Sequence, residues 1–402
     1  MATSAPRSQS PESIASSSRD CSPASSQDLP AALSQETAAL LQETAALSQE
    51  KGHDELHPEL LALARELATR VKRVLVTGAG GFLGAAICRP LLAAGIQVVG
   101  VARGHYPALE AMGATMVRAD ICDKQALKQA LNGCELIFHV ASKAGVWGSR
   151  ASYFRPNVLG TENIIACARE LGIGYLVYTS TPSVTFDGKD EAGIDESVPY
   201  ARRYLNHYGA SKSEAEELVL AGAKEGLKTV AIRPHLIWGP GDPHLVPRVL
   251  ERGRKGRLKL VGREDKLVDT IYIDNAAFAH LSAARSLLAE PSRCNGKAYF
   301  VSNDQPLTMA AMLDSILACD NLPAVEKRVP ATLAYAIGAM LEGIYRLLAI
   351  KQEPLMTRFV AKQLSCSHYY DISAAKRDLD YRVIVSMEQG MSKLRRSLGH
   401  SN

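Results

Sequence analysis

From Arg73 onward the apolar residues fall into short unbroken runs, parted by longer stretches in which they recur every three or four positions. The runs are "RVLVTG", "IQVVGVA", "TMVRADI", "LIFHVAS", "YLVYTS" and "KTVAIRP". Strands buried on both faces and separated by helices form a parallel sheet, so the pattern predicts an α/β fold with a doubly wound sheet. The last third mixes two further strands, "TIYID" and "KAYFVS", with longer helices. It predicts a smaller C-terminal substrate lobe. The domain is expected over 72–395, with the sheet core mainly in 72–235 and the lobe mainly in 236–395.

The chain before this pattern reads differently. Residues 1–30 are rich in Ser, Pro and Ala and offer little to bury, which predicts disorder. Leu33, Leu40 and Leu47 then stand seven apart in "ALSQET", "ALLQET" and "ALSQEK". A coiled-coil seam needs a second apolar position in each heptad, and here Glu or Thr fills it. A frayed helix is the expectation, inside a low-complexity tail over 1–53. An amphipathic leading helix is expected over 54–71. The tail reads as an addition to the domain or as the product of a start site chosen too far upstream.

The 402 residues are 47% hydrophobic and 22% charged, a balance that can fold. The net charge of +4 names no partner. In the first seventy residues Asp and Glu outnumber Lys and Arg ten to five. The densest basic run, "RGRKGRLK" from Arg252, suits a solvated face better than a phosphate or membrane site, because no nucleic-acid motif accompanies it. No nucleic-acid partner is expected. Eight cysteines lack CxxC spacing, which argues against a disulfide framework or a metal site and suits a reducing compartment. No secretory signal or membrane-spanning run is visible, so a cytoplasmic location is expected.

"TGAGGFLG" places Gly78, Gly81 and Gly84 between a strand and a helix that begins at Phe82 and Leu83. The first glycine permits the tight turn. The second lets backbone approach a pyrophosphate at the helix N-terminus, and the third lets helix and strand pack closely. The context is that of a Rossmann-type dinucleotide site. NAD sites place an acid about 20 residues further on, at the end of the second strand. Ala102 stands there and Arg103 follows. A guanidinium can grip a 2′-phosphate that a carboxylate would repel, so NADP(H) is favoured, with NAD(H) remaining possible. Arg103 as a plain solvated loop residue is the alternative. Asp120 ends the third strand, where it is placed to accept from an adenine amino group or simply to shape a turn.

"NHYGASKSEAE" puts Tyr208 and Lys212 one helical turn apart, on one face. A phenol with a pKa near ~10 is a poor acid–base group at neutral pH. A neighbouring ammonium is expected to favour the phenolate and bring Tyr208 into range. Ser180 or Thr181, in "YLVYTSTPSV", would lie at the carboxyl edge of the sheet, where a hydroxyl can hold a substrate oxygen against Tyr208.

TGxxGxxG, the hydroxyl pair and YxxxK together resemble the extended short-chain dehydrogenase/reductase superfamily. "HVASKAGVWG", "NVLGTENII", "RPHLIWGPGDPHLVPR" and "SHYYDISAAKRDLDY" are similar to the 3β-hydroxysteroid dehydrogenase and sterol-4α-carboxylate 3-dehydrogenase family. They are at least as similar to bacterial 2-alkyl-3-oxoalkanoate reductases. The resemblance runs from about Arg73 to Leu394. It implies Thr181, Tyr208 and Lys212 as the catalytic set and Gly78, Gly81, Phe82, Leu83 and Gly84 as the cofactor turn. It also implies Asp120 with Ile121 at the adenine, and Pro234 at the border of nicotinamide and substrate. Tyr208 and Lys212 also serve the cofactor in such sites, and a homodimer is expected. Pro182 and Ser183 follow the catalytic hydroxyl where sugar dehydratases carry an acidic pair, which argues against water elimination.

The resemblance implies a large apolar substrate with an oxygen β to a carboxylate. His235 and Arg203 are the candidate groups to meet that carboxylate. In "VPATLAYAIGAMLEGIYRLLAI", Leu333, Ile337, Met340, Leu341, Ile344 and Leu348 fall at near-helical spacing. That segment reads as a lid, as an interfacial helix making peripheral membrane contact, or as an ordinary core helix. Against an oxidoreductase stands a second reading: a cofactor-binding scaffold whose Tyr–Lys pair is vestigial.

Overall fold

The computed structural model describes residues 56–400. The tail over 1–53 and its heptad-like leucines lie outside the described residues. A helix, α1 (Pro58–Ala68), leads into the sheet and buries Leu60, Leu63, Ala64 and Leu67. Seven strands form the main sheet: β1 (Arg73–Thr77), β2 (Gln97–Ala102), β3 (Thr115–Arg118), β4 (Leu136–His139), β5 (Tyr175–Thr179), β6 (Lys228–Pro234) and β7 (Lys297–Val301). All pair in parallel, in the order 3-2-1-4-5-6-7. The chain reverses its winding between β1 and β4, and ligands bind in such sheets outside the strand ends at that point.

Six strands coincide with the apolar runs read from the sequence. The other two behave differently. "KAYFVS" supplies β7, which extends the main sheet and does not belong to the lobe, so the core reaches past residue 235. "TIYID" gives a strand of only two residues, Ile271–Tyr272. Helix formation takes over at Ile273, with Asp274 in the first turn where a carboxylate favours the helix N-terminus. That helix runs to Leu287 and buries nearly its whole surface beneath the sheet.

The lobe contains a small four-stranded sheet of Leu307–Thr308, Leu267–Val268, His368–Tyr370 and Glu191–Ile194. Beside it lies the helix Ala331–Leu347. It is no core helix: its buried positions are Ala334, Gly338 and Glu342, while Leu333, Ile337, Met340, Ile344 and Leu347 are exposed. Gly338 permits this docking, because a Cβ there would lie 2.6 Å from the Thr357 backbone. Glu342 fixes it by accepting from the Arg358 backbone N–H at 2.7 Å and from its guanidinium at 2.8 and 3.0 Å. Among the described residues no helix is long and apolar enough to cross a membrane.

Candidate active site

The switch point is locked by Thr77, the last residue of β1. Its hydroxyl accepts the N–H groups of Val140 and Ala141, both at 3.0 Å, binding the end of β4 to that of β1. It also pairs with His139 Nδ1 at 2.8 Å, and His139 Nε2 pairs with Thr161 Oγ1 at 2.9 Å. Burial pushes His139 down to about 3, so it is neutral and serves as a strut.

This strut sets the glycine turn. Gly78 has φ +67° and its N–H reaches the Val101 carbonyl at 2.7 Å. A Cβ on Gly78 would lie 3.0 Å from the Ala141 backbone, and one on Gly84 would lie 2.1 Å from the Gly78 carbonyl oxygen. Gly81 begins the helix Phe82–Ala93, whose first N–H groups are free to face an anion. The third position of the turn, Gly80, escaped the sequence reading: a Cβ there would run into the Tyr106 ring at 2.2 Å. A dinucleotide fits this cradle, since side chains at Gly78 and Gly84 would fill the space that backbone needs.

Arg103 and Asp120 follow the ends of β2 and β3. Arg103 is exposed and its charge helps lower Asp120, whose carboxylate is held down chiefly by the Cys122 backbone N–H. Arg118 adds a second guanidinium, anchored on the Arg103 carbonyl at 3.1 Å. Ile121 is different. Its side chain packs into the core against Gly160 and its carbonyl accepts from Asn163 at 3.2 Å, leaving Asp120 as the side chain open to a ligand.

The chemical centre lies across the ends of β5 and β6. Ser180 donates its N–H to the Ile232 carbonyl at 2.6 Å, and its hydroxyl is buried. Thr181 caps a short turn, accepting from the Ser183 N–H at 3.2 Å, and its hydroxyl is near enough to Tyr208 to lower that phenol's pKa. Of the two candidate hydroxyls, Thr181 is therefore the one beside Tyr208. Lys212 is buried, donates to the Thr179 carbonyl at 2.6 Å, and stands 4.0 Å over the Tyr178 ring.

The expected effect of Lys212 on Tyr208 is absent in this arrangement. Burial raises the phenol, and burial pushes Lys212 down to about 7, with Glu216 opposing. The Lys212 ammonium is turned to the Thr179 carbonyl, and Tyr208 responds to burial and to the Thr181 hydroxyl. Glu216 sits one turn beyond Lys212 and is itself paired with Arg233, which donates through Nε at 3.1 Å. A cavity of about 720 Å³ near this pair is lined by Tyr200, Leu220, Arg233, Tyr299 and Asp378, but by none of Thr181, Tyr208 or Lys212.

Pro234 ends β6, and His235 follows it into the lobe. His235 does not supply a cation. Its Nδ1 is bound to the Asp269 carbonyl at 2.7 Å, its ring meets His368 edge-on at 4.7 Å, and burial holds its pKa well below the usual range. The expectation that it meets a carboxylate as a charged group is corrected accordingly. Arg203 is exposed.

Comparison with known proteins identifies the family. Residues 75–326 match the model of the 3-beta hydroxysteroid dehydrogenase/isomerase family. The chain belongs to that family. It is an NAD(P)-dependent oxidoreductase of the extended short-chain type, acting on CH–OH groups. The 2-alkyl-3-oxoalkanoate reductase of Shewanella oneidensis is 63% identical over 339 residues, covering 83% of this chain and 88% of the relative. The decarboxylating sterol-4-alpha-carboxylate 3-dehydrogenase of Mus musculus is 31% identical over 340 residues, 83% of this chain and 92% of the relative. Among solved structures, the Thermus thermophilus UDP-glucose 4-epimerase in complex with NAD matches with a TM-score of 0.62 at 23% identity, covering 82% of this chain and 100% of the other. That last likeness speaks for the fold alone.

Proposed function

We propose that this protein reduces a 2-alkyl-3-oxoalkanoate to the corresponding 3-hydroxy acid with NADPH. The observation that carries the reading is the Tyr208 phenol, held protonated by burial beside the Thr181 hydroxyl, in a chain 63% identical to a reductase of that name. When bound in the glycine cradle, NADPH supplies the hydride. Thr181 and Tyr208 hold the ketone oxygen by hydrogen bonds, and Tyr208 delivers the proton that completes the alcohol. Lys212 braces the end of β5 through the Thr179 carbonyl. Arg103, with Arg118 beside it, supports a choice of NADP(H) over NAD(H), since two guanidinium groups border the end of β2 and Ala102, not an acid, ends that strand.

The exposed stripe on the helix Ala331–Leu347 supports its use as a lid for long alkyl chains. Its far end is tied to the loop after β4, where Trp147 donates to the Ile350 carbonyl at 3.2 Å and meets the Tyr345 ring edge-on. Sedimentation of the protein with anionic vesicles tests the other use, as a membrane-contacting face. A homodimer goes with this reading and is tested by sedimentation velocity. The test of the main proposal is NADPH consumption with a 2-alkyl-3-oxoalkanoate. Turnover supports it, and stoichiometric NADPH binding without turnover on any ketone would favour the scaffold reading.

A further inference from the structure

With His235 neutral and Arg203 out in solvent, the carboxylate of a keto acid needs another counter-charge. Two arginines act on His207, the neighbour of Tyr208 in the chain. Arg346 is engaged with Glu342 at 3.3 Å, and the Arg150 guanidinium lies 3.7 Å over the Phe154 ring. Lys143, in the loop "ASKAGVWG" after β4, is different. It is half-buried, and among the described residues it has no carboxylate partner.

The loop around Lys143 is built to hold it. Asn157 accepts the Lys143 N–H at 2.7 Å through Oδ1 and donates to the Lys143 carbonyl at 3.1 Å through Nδ2. Asn157 is itself fully packed, in a single π-helical turn (Arg155–Leu159) inserted between two helices. Such turns aim side chains that a regular helix would point elsewhere. The same Nδ2 group donates to Ser211 Oγ at 2.9 Å, and Ser211 donates to the Tyr208 carbonyl at 2.9 Å. Asn157 thus pins the Lys143 backbone to the helix that carries Tyr208.

The ammonium is positioned as firmly as the backbone. Nζ donates to Ser152 Oγ at 2.8 Å and stands 4.6 Å over the Tyr153 ring. Burial raises the Tyr153 phenol, with smaller contributions from the Glu353 carboxylate and then from Tyr208. Gly148, at φ +148°, keeps the space open, since a Cβ there would lie 3.2 Å from Nζ. An ammonium has three donors, and among the described residues only one is used. A half-buried cation with two donors unmatched among the described residues is stabilised by binding an anion.

We propose that Lys143 binds the substrate's carboxylate and so selects β-keto acids over neutral ketones. This rests on the reductase reading for the identity of the substrate, but not for the charge it recognises. It makes Lys143 a specificity-determining residue and Asn157 the residue that positions it. Neither the pyrophosphate nor the 2′-phosphate of the cofactor is needed to account for it.

The test uses the full chain and two long-chain probes, tetradecanoate and methyl tetradecanoate, titrated in the presence of NADP⁺ and followed by tryptophan fluorescence. Wild type should bind the carboxylate at least ~10-fold more tightly than the ester, as one charge-assisted bond implies. In Lys143→Met that preference should vanish, with ester binding and NADPH affinity unchanged. In turnover, Lys143→Met should raise KM for a 2-alkyl-3-oxoalkanoate while leaving kcat/KM for its methyl ester as in wild type, and Lys143→Arg should restore part of the preference. Equal losses on acid and ester, an unchanged preference, or weakened NADPH binding would each overturn the proposal. Carboxylate preference without keto-acid turnover would sink the reductase reading and leave the role of Lys143 standing.

Discussion

The Lys212 ammonium donates to the Thr179 carbonyl at 2.6 Å, so the charge expected to draw Tyr208 toward its phenolate is bound to the end of a strand instead. The phenol is left protonated, which suits a group that must give a proton away. In the reduction direction kcat/KM should therefore show no falling limb at or below pH 9. Oxidation of the 3-hydroxy acid needs the phenolate and should accelerate as pH rises through the same range. A reductive profile that collapses near pH 8–9 would show Tyr208 to be lowered after all.

Tyr208→Phe removes the proton donor and almost no volume. Ketone reduction should fall by about 10²–10⁴-fold, the usual contribution of a positioned acid, while NADPH still binds. Stopped-flow titration of NADPH fluorescence beside steady-state turnover separates the two. Unchanged turnover would assign the proton to another group.

Arg103→Ala should weaken NADPH by about 10–100-fold, the worth of one or two hydrogen bonds to a charged group. NADH kinetics should not change. Isothermal titration with both cofactors reads the difference, and equal effects on both would mean that Arg103 is only a solvated loop residue.

Glu191 offers a test of stability. It is buried, accepts from Thr185 at 2.7 Å and from Tyr370 at 3.2 Å, and burial raises its pKa to about 7. The folded state therefore binds a proton more tightly than the unfolded chain, whose glutamate titrates near ~4.3. That contribution is complete below about pH 4, and is lost as pH rises through 7. Wild type should lose of order 2–3 kcal/mol between pH 4.5 and 7.5 relative to Glu191→Gln. Urea unfolding of both proteins across that range measures it, and parallel curves would place the carboxyl in a more polar setting than its contacts suggest.

What could be read from the sequence was set by local pattern. Runs such as "RVLVT" and "LIFH" are buried on both faces and need no tertiary knowledge to be seen. The glycine turn and the Tyr208–Lys212 pair are fixed by spacing within a single turn. What escaped depends on contacts between distant segments. His235 looks like a cation until Asp269 and His368 are found around it, 34 and 133 positions away in the chain. Lys143 looks like a solvated loop lysine until Asn157 is seen clamping its backbone. The strand "KAYFVS" gives no sign of which sheet it joins, because that is decided by pairing with β6. "TIYID" reads as a strand because its β-branched residues dominate, whereas Asp274 and the small residues after it start a helix.

The most direct measurement is NADPH oxidation by the purified protein, followed at 340 nm, with a 2-alkyl-3-oxoalkanoate and, separately, NAD(P)⁺ reduction with a 3β-hydroxysterol-4-carboxylate. Turnover of the linear keto acid, lost in Tyr208→Phe, is the expected result. Turnover of the sterol acid alone would contradict it and place the protein with the decarboxylating sterol dehydrogenases instead.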